Sequence, residues 1–228
     1  MKYLYHHLGL GDHIICNGMV REYYKKYNDL TLFVKKHNLI SVSFMFRDLF
    51  DLQYHSVNSD NEVIEFMLRL NSQNFISHIC PYAIENEKTM DETFYKHANM
   101  PYSNRWDSFK IIRDNDREKM LFNYLNLKEQ KYIFVHDDNA RNFNINLNLI
   151  SSDLPIIKPN KKLTDNIFDY CYIIENANEI HCMDSCFRIL IEHLNTDRLF
   201  YHSYARYSVE TASVGWGIPN SKKEWIVL

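Results

Sequence analysis

Apolar and polar positions along this chain fall into blocks whose period switches between strand-like and helix-like, and the switches mark the elements. Residues 2–8 read as a short buried strand. The Gly9-Leu10-Gly11-Asp12 turn then leads into a helix from about Asp12 to Lys26, with Ile15, Met19 and Tyr23 on one face. Leu30 to Lys35 predicts a second strand, Ser41 to Leu49 a helix, and Gln53 to Val57 a third strand. Asn61 to Leu70 is an amphipathic helix with Val63, Ile64, Met67 and Leu68 facing inward, and Phe75 to Cys80 follows as a strand. The stretch from Asp91 to Leu127 is mainly helical, Asp116 to Tyr124 included. The polar Lys128-Glu129-Gln130-Lys131 then precedes a new strand, Tyr132 to His136. The second half repeats the theme: Leu154 to Lys158 as a strand, Asp165 to Asn176 as a helix, Glu179 to Met183 as a strand, Ser185 to Leu194 as a helix, and Arg198 to His202 as a strand. Thr164 is the expected cap of the 165–176 helix, with Ile167, Cys171 and Ile174 at helical spacing behind it. Asn142 to Leu149 alternates as a strand does, and its asparagines are taken as compositional bias.

Such alternation implies parallel strands joined by crossover helices. The expected fold class is α/β: two small Rossmann-like domains facing a cleft, 1–127 and 128–228. Composition agrees, since 46% apolar, 24% charged and 14% aromatic residues exclude a disordered or collagen-like chain. The formal charge of −3, from 26 basic and 29 acidic residues, gives no global field to draw nucleic acid or an anionic membrane. Any anionic ligand must therefore be held locally. No run of about 18 apolar residues is present to span a bilayer, and Met1 to His7 is too polar for a signal-peptide core, so the chain reads as cytoplasmic. Cys16, Cys80, Cys171, Cys182 and Cys186 are odd in number, lie mostly in apolar segments and read as reduced core thiols. The spacing of His181, Cys182 and Cys186 fits no zinc site.

Glycines cluster at Gly9, Gly11 and Gly18 and again at Gly215 and Gly217, so the turn at Gly9 is a site by position. A glycine pair between strand and helix lets a backbone approach a ligand closely and aims the helix start at whatever lies above the sheet edge. It is neither a dinucleotide fingerprint, because Ile14 stands where the third glycine belongs, nor a phosphate-binding P-loop, because no Gly-Lys-Ser/Thr follows. Asp12 has two readings from its position, a catalytic carboxylate or a helix N-cap. At the strand end Glu179 to Met183, Asp184 and Ser185 suit a phosphate or merely cap the following helix. Counter-charge for a phosphate is offered by Arg141, Lys158, Arg188 and Arg206. Asp137 and Asp138 form no Asp-x-Asp metal motif, and Trp106 and Trp225 read as core or hinge residues.

Segment His6 to Gly18 resembles glycosyltransferases of the two-domain GT-B architecture, in particular the heptosyltransferase-like group, whose first strand leads into a Leu-Gly-Asp turn; Gly11 and Asp12 match it. Asp184 and Ser185 match that group's Asp-Thr/Ser-Gly turn, with Cys186 in place of glycine and Ile189 where histidine is common. The resemblance implies that Asp12 takes the proton of an acceptor hydroxyl, with His13 as a second catalytic candidate and His7 beside it. It further implies that Gly9 and Gly11 shape the acceptor side while Asp184, Ser185 and the four cations hold a nucleotide-sugar donor. The acceptor would be a glycan or a lipid-linked sugar, with no cofactor, no metal and inversion at the anomeric carbon. A catalytically silent nucleotide or sugar-phosphate binding protein of the same fold is the alternative. A phosphatase or kinase is disfavoured by the missing P-loop and Cys-x5-Arg motifs.

Overall fold

A computed structural model describes residues 1–70, 72–78, 89–206 and 220–228 and divides the chain into two units, Met1–Ile112 and Arg113–Leu228. In the first unit β1 (Lys2–His6), β2 (Leu30–Lys35), β3 (Gln53–Val57) and β4 (Phe75–His78) form a parallel sheet in the order β3-β2-β1-β4. Strand β2 is buried from Leu30 to Val34, which is why its sequence is mostly apolar, broken only by the buried Thr31, rather than alternating. The helix expected over 12–26 is two helices, α1 (Leu10–Ile15) and α2 (Asn17–Lys26), which meet at Cys16 where ψ is 5°. Past this break Arg21 makes a bidentate pair with Asp48, both contacts at 2.9 Å, and donates to the Lys110 carbonyl at 2.7 Å. Although its burial opposes ionisation, the Arg21 and Lys110 hydrogen bonds hold the Asp48 carboxyl down at about 2.

Helix α3 (Leu39–Met45) starts and ends earlier than the expected 41–49. On α4 (Asp60–Arg69) the inward face is Val63, Phe66 and Met67, packed on Tyr3, Tyr5, Phe33, Val57 and Phe75. Ile64 and Leu68, expected inside, are 46% and 82% exposed. The larger Phe66 ring takes the inner position instead, 5.1 Å from Tyr3 and 5.5 Å from Phe33. Two helices, α5 (Met90–His97) and α6 (Asn104–Asp107), complete the described part of this unit, and α6 lies against α2 at Gly18. Cys80, at the end of the fourth expected strand, lies outside the described residues, as do Gly215 and Gly217.

In the second unit α7 (Asn115–Tyr124) precedes β5 (Ile133–His136), β6 (Ile156–Ile157), α8 (Cys171–Glu175), β7 (Glu179–Cys182), α9 (Cys186–Ile191), β8 (Leu199–Tyr201) and β9 (Trp225–Val227). The strands are parallel, in the order β6-β5-β7-β8-β9. The division after Ile112 replaces the expected boundary near 128 because α7 is fastened to this unit: Arg113 pairs with Glu175 at 2.6 Å, Arg117 with Asp169 at 2.7 Å, and Phe122 packs on Tyr132 and Tyr172. The alternation at 142–149 is not a strand. Asn139–Arg141 and Leu147–Leu149 are single helical turns, and Phe143 makes an isolated bridge with Asp138. Helix α8 follows a tight turn over Ile167–Tyr170 whose cap is Asn166, while the Thr164 hydroxyl instead donates to Asp169 at 2.5 Å. Among the described residues no helix is long and apolar enough to cross a membrane.

Candidate functional site

The parallel order places the end of β1 and the Gly9–Asp12 turn at the C-terminal edge of the first sheet, the edge where ligands of open α/β sheets bind. Gly9, not Asp12, is the N-cap of α1. Asp12 sits one turn in, 8% exposed, and its Oδ2 accepts the Gly9 backbone N–H at 3.2 Å. This satisfies one of the orphan amides of the helix start and places the negative charge where the helix dipole favours it. A Cβ on Gly9 would lie 2.6 Å from Asp12 Oδ2, so a side chain there would push the Asp12 carboxylate off the Gly9 amide. Gly11 lies half-buried in the first turn, and the half-buried His7 ring packs 5.7 Å from Phe94.

His13 does not fit an acceptor-contacting role. Its side chain is fully buried, 4.6 Å from the His6 ring, with neither ring nitrogen hydrogen-bonded among the described residues. Burial, with His6 and Lys35 nearby, pushes its pKa well below the usual histidine range and keeps it neutral. Successive helical residues point about 100° apart, so a side chain next to Asp12 in sequence faces the core.

At the corresponding edge of the second sheet the structure gathers most of the residues the sequence nominated. Ser185 is the N-cap of α9, its hydroxyl accepting the Arg188 amide at 3.4 Å. Asp184 is 2% exposed and accepts from Arg188 Nε at 3.1 Å. Arg206 donates to the Asp184 carbonyl at 2.9 Å and lies 3.7 Å from its carboxylate. Lys158 pairs with Asp137 at 2.6 Å, and Arg141 donates through Nε to Asp138 at 2.6 Å. Arg188 is itself buried between Asp184 and Glu192, so it serves the interior and not a ligand surface. Asp184, equally buried, anchors the turn and Arg206. Arg206 keeps about a quarter of its side chain exposed and Arg141 more than half. Both guanidinium groups lie against one ring, Phe143, at 5.6 and 5.9 Å from its centroid.

In sequence the chain matches no protein-family model and no curated protein. In structure it is similar to a glycosyl transferase family 9 protein from Veillonella parvula, with 7% identity and a TM-score of 0.56 over 99% of this chain and 86% of that one. It is also similar to the ADP-heptose LPS heptosyltransferase II of E. coli, with 9% identity and a TM-score of 0.59 over 99% of this chain and 90% of that one. This is a GT-B-like fold. Both Rossmann-type units take part in the match, since it runs end to end.

Within that fold, Phe143 is the member of the second-unit group that sequence reasoning missed. It sits in the asparagine-rich segment taken as compositional bias, and the signal available was its place just after Arg141. The described cysteines lie in the interior: Cys16, Cys171 and Cys182 are buried and Cys186 is half-buried at the start of α9. Burial raises all of their pKa values, Cys186 to about 11, so they are neutral thiols rather than nucleophiles. Among the described residues no three His, Cys, Asp or Glu side chains converge as metal ligands.

Proposed function

We propose that this chain is a glycosyltransferase that moves a sugar from a nucleotide-sugar donor to an acceptor hydroxyl, with inversion and without a metal. The observation that carries the reading is the GT-B-like fold, matched over 99% of the chain to two glycosyltransferases, with a carboxylate-bearing turn at the end of β1 and a cation group at the end of β5 and β7. In the reaction the acceptor oxygen attacks the anomeric carbon as the bond to the donor phosphate breaks. The hydroxyl proton passes to Asp12, and the departing nucleoside diphosphate keeps the bonding pair. A carboxylate of ordinary basicity suffices, because the hydroxyl acidifies as the new bond forms. Arg141 and Arg206, held on Phe143, offset the charge that develops on the diphosphate, and Lys158 stands nearby as a further cation. The acceptor class is a glycan or a lipid-linked sugar.

Turnover of UDP-, GDP- and ADP-sugars, with and without acceptor sugars, tests this directly. Nucleoside diphosphate is expected to be released from one of them, and a millimolar nucleotide should raise the melting temperature by mass action. EDTA is expected to leave turnover unchanged; loss that Mg²⁺ or Mn²⁺ restores sinks the metal-independent part. The hydrogen bond from Gly9 to Asp12 also favours a second reading, a silent nucleotide or sugar-phosphate binding protein in which Asp12 only finishes a helix. A nucleotide that stabilises the fold while no donor is ever consumed selects that reading.

A further inference from the structure

A buried row of charges runs from the Asp184 turn to the C-terminal strand. Arg188 on α9 bridges Asp184, just before the helix, at 3.1 Å and Glu192, its C-cap, at 3.7 Å, with all three side chains 6% exposed or less. Beyond Glu192 stand groups from the last residues of the chain. Ser221 Oγ lies 2.8 Å from both carboxylate oxygens, the Lys222 amide donates at 3.2 Å, and the Trp225 indole N–H donates at 3.0 Å. The Ser221 hydroxyl has a single proton, which it gives to Glu192 while accepting the Lys223 amide at 3.0 Å. Glu192 is thereby held from three sides: it accepts from Ser221, Lys222 and Trp225 and faces Arg188 across an ion pair at 3.7 Å. At the other end of the row Asp184 holds Arg206 through its carbonyl and carboxylate.

We propose that Glu192 is a positioning residue for Arg206, acting through Arg188 and Asp184, and that Ser221 and Trp225 hold Glu192 in register; this rests on the reading that Arg206 meets the donor phosphates. Buried ion pairs contribute little to stability compared with well-packed apolar groups of the same size, so a row of them is better explained by the geometry it imposes than by folding. With both sides of the Arg188 guanidinium engaged, Asp184 cannot be drawn wholly onto it, and its second oxygen remains for Arg206. With Gln in place of Glu192, Arg188 closes onto Asp184 and Arg206 loses that carboxylate.

The sign of one measurement separates positioning from simple charge. Removing a negative charge tightens anion binding if Glu192 acts only through its field; losing the position of Arg206 weakens it. Binding of inorganic pyrophosphate and of ADP, UDP and GDP is measured by calorimetry on the full chain, alongside thermal unfolding. E192Q is expected to weaken pyrophosphate and the preferred nucleotide alike, by about tenfold. In an R206Q background E192Q is expected to cost nothing further, because the effect passes through Arg206. An unchanged or tighter E192Q, or an additive loss in R206Q, overturns the inference. Should E192Q fail to fold, W225F decides: it keeps the carboxylate and an aromatic ring but removes one donor, and is expected to weaken binding about threefold, with no change counting against the proposal. Wild-type protein that binds neither pyrophosphate nor any nucleotide overturns the donor-site reading and this inference with it. Wild-type binding that is indifferent to E192Q overturns this inference alone.

Discussion

A carboxylate that finishes its own helix has two jobs available to it, and only chemistry distinguishes them at Asp12. Asp12→Asn keeps the size and an oxygen able to accept the Gly9 N–H, but removes the basicity. As a general base Asp12 contributes about 10² to 10⁴-fold in rate. The variant should therefore lose on the order of 3 to 5 kcal/mol of transition-state stabilisation while its unfolding free energy changes by about 1 kcal/mol or less. Steady-state turnover together with urea unfolding reads both, and a variant that keeps more than about a tenth of wild-type turnover sinks the base assignment. At this scale the site was half legible. The Gly9–Asp12 turn and the Asp184–Ser185 turn are local in sequence and could be read from it. The contact of Arg206 with Asp184 and the shared Phe143 ring join segments far apart in the chain, so no local pattern announces them. His13 misled because adjacency in sequence is not adjacency on a helix surface.

At the scale of elements the same division holds. Strands β2 and β5, buried on both faces, write themselves as mostly apolar runs, and β1, β3, β7 and β8 also lie where the sequence placed them. Helix α4 was found, yet its rotation was not, because Phe66 rather than Ile64 fills the space above Tyr3 and Phe33. Strand β9 is three residues at the edge of its sheet, too short to carry a period. Gly18 shows how tertiary contact hides in a sequence. It lies in α2 with a φ that any residue adopts, and what requires glycine is α6: a Cβ there would come 2.0 Å from the Asn104 carbonyl oxygen and 3.3 Å from Ser108 Cβ. Backbone cannot rotate out of the way as a side chain can. Gly18→Ala therefore forces α2 and α6 apart, at a cost of about 1 to 3 kcal/mol that outweighs the gain of up to about 1 kcal/mol in helix propensity. A urea midpoint equal to or above that of the wild type would refute the packing argument.

For the molecule as a whole, acid sensitivity follows from imidazoles that the fold keeps neutral. His13 in the first unit and His136, His181 and His202 in the second all have pKa values pushed down by burial, His136 and His202 to about 4. In the second unit the protons can be counted. Tyr204 Oη accepts the Asn146 amide at 2.9 Å and gives its single proton to His202 Nδ1 at 2.8 Å. His202 Nε2 then donates to His181 Nδ1 at 2.9 Å, and His181 Nε2 donates to Glu179 at 3.4 Å. Each link of this chain carries one proton and both rings are neutral; an added proton reverses a link and leaves a buried charge. A group whose folded pKa lies below its unfolded value stabilises above the unfolded pKa and loses that contribution as pH falls. Here the window opens at about 6.5, the unfolded histidine value, and extends to about 4. Asp48, held at about 2, loses its own contribution only below the ordinary aspartate pKa, so between pH 6.5 and 4.5 the slope belongs to the histidines. His136 and His202, each held at about 4, contribute about 1.4 kcal/mol per pH unit apiece below 6.5, and together they remove several kcal/mol, against the total of about 5 to 15 that a domain possesses. Urea unfolding at pH 7.5, 6.5, 5.5 and 5.0 and constant ionic strength should show stability level down to about 6.5 and falling steeply below it. A curve that stays flat or rises toward pH 5.0 would mean that these imidazoles are charged in the folded protein, and the proton count along Tyr204, His202, His181 and Glu179 would be wrong.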